Sequence, residues 1–302
     1  MKTKTAFLGI LLPFIILSTK IELSSCFLLK PEKSNNRRVL PKAATKHTVD
    51  DVECHEIHID VGTVGTVTVL EATPESQEDL VDMAVALEDE IVEKQLLSAG
   101  DPYGAVLWPA AWAVANYVLS SSSSIKEKTI LELGTGTGLV SISTAVGGAK
   151  KVIATDYEPL ALKLADYAGH HFHDISNMET QLLDMCNYDQ ALPDCDILLA
   201  ADIMYEPKTG VAMAHRAVEA LKRNCRVIVG DSPGRPGRPA FVKALNELGV
   251  RDAKFIETVG KTCTGPRHDL ICGKQSTSIS DTPKELMVAI MDLHPNMLLE
   301  TR

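Results

Sequence analysis

Residues 129–138 read Thr129-Ile130-Leu131-Glu132-Leu133-Gly134-Thr135-Gly136-Thr137-Gly138, an apolar run passing directly into glycines at every second position. A short buried strand that ends in a glycine loop and opens a helix is where an open α/β sheet brings its backbone up to a ligand. Glycine permits the tight turn and leaves no side chain in the way. The position of the third glycine excludes one ligand class. A dinucleotide fingerprint, GxGxxG counted from Gly134, needs glycine where this chain has Leu139. Eighteen residues after Gly138 a second apolar run ends in Asp156, a carboxylate placed to accept both hydroxyls of a ribose. A glycine turn followed by a helix-capping aspartate is the plainer reading, but it does not account for the strand that precedes each element.

Outward from this stretch the rhythm is regular. Thr129–Leu133, Lys151–Thr155, Thr180–Leu183, Asp196–Ala200 and Arg226–Val229 are short apolar runs, separated by helix-like stretches at 139–147, 158–171, 208–223 and 239–248. Strand and helix in alternation predict an α/β fold, a doubly wound, mostly parallel sheet with right-handed crossovers. Lys254–Val259 and Asp269–Cys272 lie nine residues apart with no helix between them, which predicts a hairpin and an antiparallel edge. Upstream, Val52 to Glu71 alternates around Gly62 and Gly65 as a β-hairpin, and 76–98 has the spacing of an amphipathic helix. A turn at Asp101–Gly104 leads into a helix over Leu107–Leu119, entered through Trp108-Pro109. The serine run 120–124 is a loop, and Pro283–Leu293 in the tail is expected to form an amphipathic helix.

The charge of the 302-residue chain, −10 overall, is unevenly spread. Residues 1–49 carry nine basic and two acidic side chains, net +7, leaving net −17 for 50–302. So acidic a body repels phosphate backbones, which argues against nucleic acid as the main partner and favours a basic one. Lys2 and Lys4 precede a twelve-residue apolar run, Ala6–Leu17, too short for a membrane span and suited to a signal peptide over 1–26. Residues 27–49, basic and rich in Ser, Asn and Thr, read as a transit segment. Signal plus transit segment with Phe27 at the junction resembles the bipartite presequence of secondary plastids. The competing expectation is a secreted protein with a basic pro-segment. The remaining organisation is an N-terminal extension at 50–100, a main domain at 101–275 and a tail at 276–302. Cys54, Cys186, Cys195, Cys225, Cys263 and Cys272 form no CxxC, which favours free thiols and a reducing compartment.

The element order is that of the seven-stranded S-adenosylmethionine (SAM) methyltransferases, and the loop motif ELGTGTG resembles their first motif. The fourth strand ends in ILLAADIMYEP, whose Asp202 and Tyr205 form a DxxY motif at a carboxyl strand end. Together with Trp108-Pro109 before the first strand, this resembles the protein-lysine methyltransferases of methyltransferase family 16. Gly230–Pro236, GDSPGRP, and Asp101–Pro109 are similar to segments of the family members that modify the electron-transfer flavoprotein β-subunit. The chain departs from them by the inserted Ser232 and by Ala110-Ala111 in place of two glycines. The resemblance covers about 95–275 and implies SAM as cofactor and a lysine-bearing protein as substrate. It implies that Glu132, Gly134, Thr135, Gly136, Gly138, Asp156 and Trp108 hold the cofactor, with Asp184 at the adenine; a surface aspartate at a strand end is the plainer alternative for Asp184.

Chemistry accounts for the remaining candidates. Methyl transfer from a sulfonium is an in-line displacement, so a lysine, protonated at neutral pH, must be delivered as the neutral amine and held. Asp202 is the candidate for orienting the amine and for receiving its proton through water. Tyr205 and Trp108 are placed to wall its channel and attract the cation, and Arg235 to clamp substrate or an acidic neighbour. Ordinary core aromatics and a solvated arginine are the plainer alternatives. His170, His171 and His173 lack a carboxylate or Cys partner at ligand spacing, and a helix C-terminus suffices to explain them. Two rival functions share the fold: a small-molecule N-methyltransferase, and a catalytically silent SAM-binding module.

Overall fold

The computed structural model describes residues 45–94, 101–120, 125–261 and 285–299, all within one unit of the chain. The expected N-terminal hairpin is a three-stranded antiparallel sheet. β2 (Val52–Val61) and β3 (Gly65–Ala72) turn through Gly62 and Gly65 as the alternation required, and β1 (Lys46–Val49) adds on the far side of β2. α1 (Pro74–Lys94) follows, then α2 (Pro109–Leu119), which has Trp108 as its N-cap residue and Pro109 in its first turn.

The second sheet carries the site. Its strands are β4 (Thr129–Leu133), β5 (Lys151–Asp156), β6 (Met178–Leu182), β7 (Ile197–Ala201), β8 (Arg226–Asp231), β9 (Ile256–Lys261) and β10 (Glu285–Leu293), in the order β6-β5-β4-β7-β8-β10-β9. β6, β5, β4, β7 and β8 run parallel, joined through α3 (Leu139–Val146), α4 (Pro159–His173) and α5 (Pro207–Lys222); α6 (Gly237–Glu247) leads from β8 towards β9. The strand order reverses at β4, with β5 on one side and β7 on the other. That is where an open α/β sheet forms a crevice above its carboxyl ends.

One expected element is corrected. Residues 285–293 are not a helix but the strand β10, antiparallel to both β8 and β9. Val288 to Met291 are buried without interruption because β10 lies inside the sheet with a neighbour on each side. A strand covered on both faces shows no alternation, so the run cannot be told from a buried helix by period. The segment Asp269–Cys272 lies outside the described residues. At the base of the sheet Arg226 grips Asp292 with two hydrogen bonds (2.9 and 2.6 Å), tying β10 to β8.

The smaller sheet packs its apolar face on α2 and α3 through Ile57, Ile59, Val61, Val67 and Val69. Its Val49, Cys54, Leu70 and Ala72 meet Leu160 and Leu164 of α4. Two histidines in the last turn of α4, His171 beside His47 of β1 and His173, serve this docking, while His170 bonds within its own helix. His173 is hydrogen-bonded to the backbone of Thr68 (2.9 Å), and His171 stacks on Tyr167. Among the described residues no group of three metal-ligating side chains comes together, and no helix is long and apolar enough to cross a membrane. Cys195 and Cys225 are free thiols with sulfurs 3.6 Å apart at the entries to β7 and β8.

Candidate active site

The glycine loop is built by close approach on three sides. Gly134, Gly136 and Gly138 have φ of +69, +52 and +85°, the left-handed region that disfavours any Cβ. A Cβ on Gly134 would stand 2.4 Å from Ile203 Cγ2, one on Gly138 2.7 Å from the Ala165 Cβ of α4, and one on Gly136 3.3 Å from the Gly104 carbonyl oxygen. The loop is therefore wedged between the end of β7, the face of α4 and the turn at Pro102–Ala105. Glu132 fixes its base. Oε2 accepts from Thr135 Oγ1 (2.9 Å), from the Ser141 N–H (3.0 Å) and from the Ser141 hydroxyl. Burial pushes its carboxyl up to about 8, against the pull of those hydrogen bonds. Glu132 thus clamps strand, loop and helix to one another.

Asp156 ends β5 facing the loop. Its Oδ2 accepts the Gly136 N–H and its Oδ1 the Glu158 N–H, both at 3.0 Å. The carboxyl is almost wholly buried, and burial pushes it up to about 6 despite those two donors. Asp184, beyond β6, is exposed; its Oδ1 accepts the Cys186 N–H at 2.8 Å, which folds the chain into a tight turn. That turn is held from below by Arg216 of α5, a fully buried arginine that donates to Met185 O (3.0 Å), Asn187 O (2.5 Å) and Glu219 (2.7 Å).

At the far side of the crevice Asp202 adopts φ +56°, tolerable for an aspartate. Its side chain has no exposed surface. Oδ2 accepts the Ala110 N–H in the first turn of α2 (2.8 Å) and Oδ1 the Ser232 N–H after β8 (2.7 Å). Asp202 therefore staples the Trp108-Pro109 entry and the Gly230–Pro236 segment to the end of β7. Arg235 lies over it: Nε is 3.9 Å from Asp202 Oδ1 and the guanidinium carbon 4.4 Å from the centre of the Trp108 ring. The Trp108 indole N–H donates to Tyr103 O (3.1 Å), which fixes the ring.

Tyr205 is partly exposed, but its hydroxyl end is enclosed, which pushes the phenol up to about 12. Beside Tyr205, burial and then the nearby Asp101 hold the Tyr157 phenol well above its usual range. Behind Asp202, Asp231 is buried with its Oδ2 accepting from Arg238 Nε (3.0 Å) and its Oδ1 unpartnered. Burial, and then the neighbouring Asp202, push Asp231 up to about 7.

Asp156, the glycine loop, Trp108, Asp202, Tyr205 and Arg235 thus converge at the carboxyl ends of β4, β5 and β7, while Asp184 stands at the β6 side. Tyr157, Arg216, Asp231 and Arg238 belong to the same constellation and escaped the sequence reading. Tyr157 had a signal in its place directly after Asp156, and Asp231 and Arg238 in the segment that carried Arg235. Nothing in the local pattern marks Arg216, which reads as a surface residue of an amphipathic helix.

Comparison with known proteins gives a consistent result. A family model described as lysine methyltransferase matches residues 88–247. The chain is similar to the electron transfer flavoprotein beta subunit lysine methyltransferase of Homo sapiens, 27% identical over 146 residues, covering 47% of this chain and 52% of the relative. It is similar also to a protein N-terminal and lysine N-methyltransferase of Schizosaccharomyces pombe, 24% identical over 181 residues, covering 56% of this chain and 67% of the relative. The chain spans about half the length of the first of these and of its mouse counterpart. Among solved structures it is similar to a magnesium protoporphyrin IX methyltransferase from Synechocystis with bound SAM (17% identity, TM-score 0.42, 60% of this chain and 76% of that one).

Proposed function

The chain belongs to the lysine methyltransferase family, and from that premise we propose that it is a SAM-dependent enzyme that methylates a lysine side chain of a protein, with the β4–β5–β7 crevice as its active site. The observation that carries the reading is the convergence of a tightly packed left-handed glycine loop and the buried Asp156 at one strand-order reversal, with Arg235 stacked on Trp108 over Asp202 at the same end of the sheet. These residues fit the cofactor. Asp156 keeps a second lone pair on each oxygen for a ribose, the glycines let the loop pack closely under the strand ends, and the Asp184 turn, fixed by Arg216, is a platform at the β6 side for adenine. When bound, SAM supplies an electrophilic methyl group on sulfur.

The protein's own residues do the rest. Trp108 and Tyr205 enclose the lysine stem and favour an approaching ammonium through their ring faces. Exclusion of water there lowers the pKa of the incoming amine, so that it gives up its proton to solvent at the mouth of the crevice and its lone pair becomes available for in-line attack. Asp202, expected to orient the amine directly, has no exposed side-chain surface, lies beneath Arg235 and has each oxygen on a backbone N–H group. We assign it instead to positioning, holding Trp108 and Arg235 in register with the crevice, with Glu132 playing the same part beneath the glycine loop. The negative body of the chain supports a basic protein surface as partner.

The reading is tested by incubating the protein with methyl-labelled SAM and two acceptors, recombinant electron transfer flavoprotein beta subunit and an organelle extract, and locating the label by mass spectrometry. Label on lysine is expected; label confined to small molecules would favour the rival reading. We further propose residues 1–49 as a plastid-targeting presequence, on their charge and composition. A fluorescent protein fused after residue 49 should enter the plastid, and secretion of the fusion would contradict this.

A further inference from the structure

We propose that Arg235 is the specificity gate of the lysine channel: in the free enzyme its guanidinium occupies the cation place between the Trp108 ring and the Asp202 carboxylate, and a substrate ammonium enters by displacing it. This rests on the reading of the crevice as a lysine methyltransferase site. A lysine head group is recognised by an aromatic face and by the field of a nearby carboxylate; Trp108 offers the first, and the buried Asp202 the second without itself touching the amine. In the structure both are already engaged, by one cation belonging to the protein itself. The guanidinium lies 4.4 Å above the indole ring and Nε lies 3.9 Å from Asp202 Oδ1, and the Asp202 side chain beneath has no exposed surface at all.

The manner of attachment sets Arg235 apart from Arg238 on the same segment. Arg238 is fixed by hydrogen bonds to the Asp231 carboxylate and to the Asp231 and Ser232 carbonyls. Arg235 meets Asp202 beyond hydrogen-bond distance, by charge and ring contact only. It follows Gly234, at φ +78°, where an added Cβ would meet nothing within 4 Å. A guanidinium is charged at every physiological pH, so only another cation recovers what its departure loses. The gate thereby admits an ammonium and disfavours neutral nucleophiles of the same length.

The probe is n-butylammonium, a lysine side chain without its backbone. It is titrated into the full-length protein saturated with S-adenosylhomocysteine and followed by tryptophan fluorescence, with Trp108→Phe identifying the signal. Arg235→Ala and Arg235→Gln should each bind the probe about five to ten times more tightly than the wild type, the range expected for removing a cation–π competitor. Arg235→Lys, which keeps a cation, should bind it as weakly as the wild type. Equal or weaker binding by both neutral variants would overturn the gate. Titration with S-adenosylhomocysteine separates the two claims: a wild type that does not bind it overturns the methyltransferase reading, whereas one that binds it, with neutral variants that gain nothing for butylammonium, overturns the gate alone.

Discussion

Asp202→Ala removes the acceptors, the only ones among the described residues, of two buried N–H groups, those of Ala110 and Ser232. A hydrogen bond to a charged group contributes about 1.5–3 kcal/mol, so losing both costs about 3–6 kcal/mol. Alanine also enters the left-handed region at φ +56°, adding about 1 kcal/mol that Asp202→Gly avoids. Asp202→Asn keeps one acceptor and tolerates that backbone, so its cost falls near half. The expected order of stability is wild type, Asn, Gly, Ala, read by urea unfolding at constant m-value. In thermal unfolding each kcal/mol lowers the midpoint by roughly 2–4 °C for a domain of this size. The same variants should weaken methyl transfer in parallel with stability, because they release α2 and the Arg235 segment together. An Asp202→Ala protein within about 1 kcal/mol of the wild type yet devoid of methyl transfer would refute the staple and restore direct contact between Asp202 and the amine.

Two further outcomes follow from the loop. Glu132, raised from 4.5 to about 8, holds a proton in the folded protein that the unfolded chain releases. Stability from this group is therefore complete below its unfolded value and falls as pH rises towards 8, by at most about 1.4 kcal/mol per pH unit. Glu132→Gln should flatten the loss between pH 5 and 8 in urea unfolding, and an unchanged slope would count against it. Gly134→Ala should destabilise by about 1–3 kcal/mol through overpacking against Ile203 Cγ2. Adding Ile203→Ala should recover at least about 1 kcal/mol relative to additivity, and strict additivity in the double variant would mean that the two do not touch.

The elements that carry their signal locally were readable in the chain. The β4 and β5 runs, the glycines between β4 and α3, and Asp156 form one continuous strand-loop-helix-strand pattern, and Asp202 and Tyr205 lie at the next carboxyl end by element order alone. β10 was not readable, because its burial between β8 and β9 erases the alternation that marks a half-exposed strand. β1 was missed because four polar-rich residues at a sheet edge have no period to read. At the site, the sequence pattern placed Asp202 at the crevice but could not show what its carboxylate holds. Its partners are backbone N–H groups 92 and 30 residues away, and a backbone donor has no letter in the sequence. The Arg216 support, made to the carbonyls of Met185 and Asn187, is a contact of the same long-range kind.

The central claim is that SAM binds between the glycine loop and Asp156. Calorimetric titration of SAM into the wild-type protein and into Asp156→Ala tests it most directly. Removing a buried carboxylate from the two ribose hydroxyls should weaken binding by at least about tenfold, 1.4 kcal/mol or more, while the thermal unfolding midpoint identifies any loss due to misfolding. Equal SAM affinity in a folded Asp156→Ala protein, or no SAM binding by the wild type, would contradict the claim.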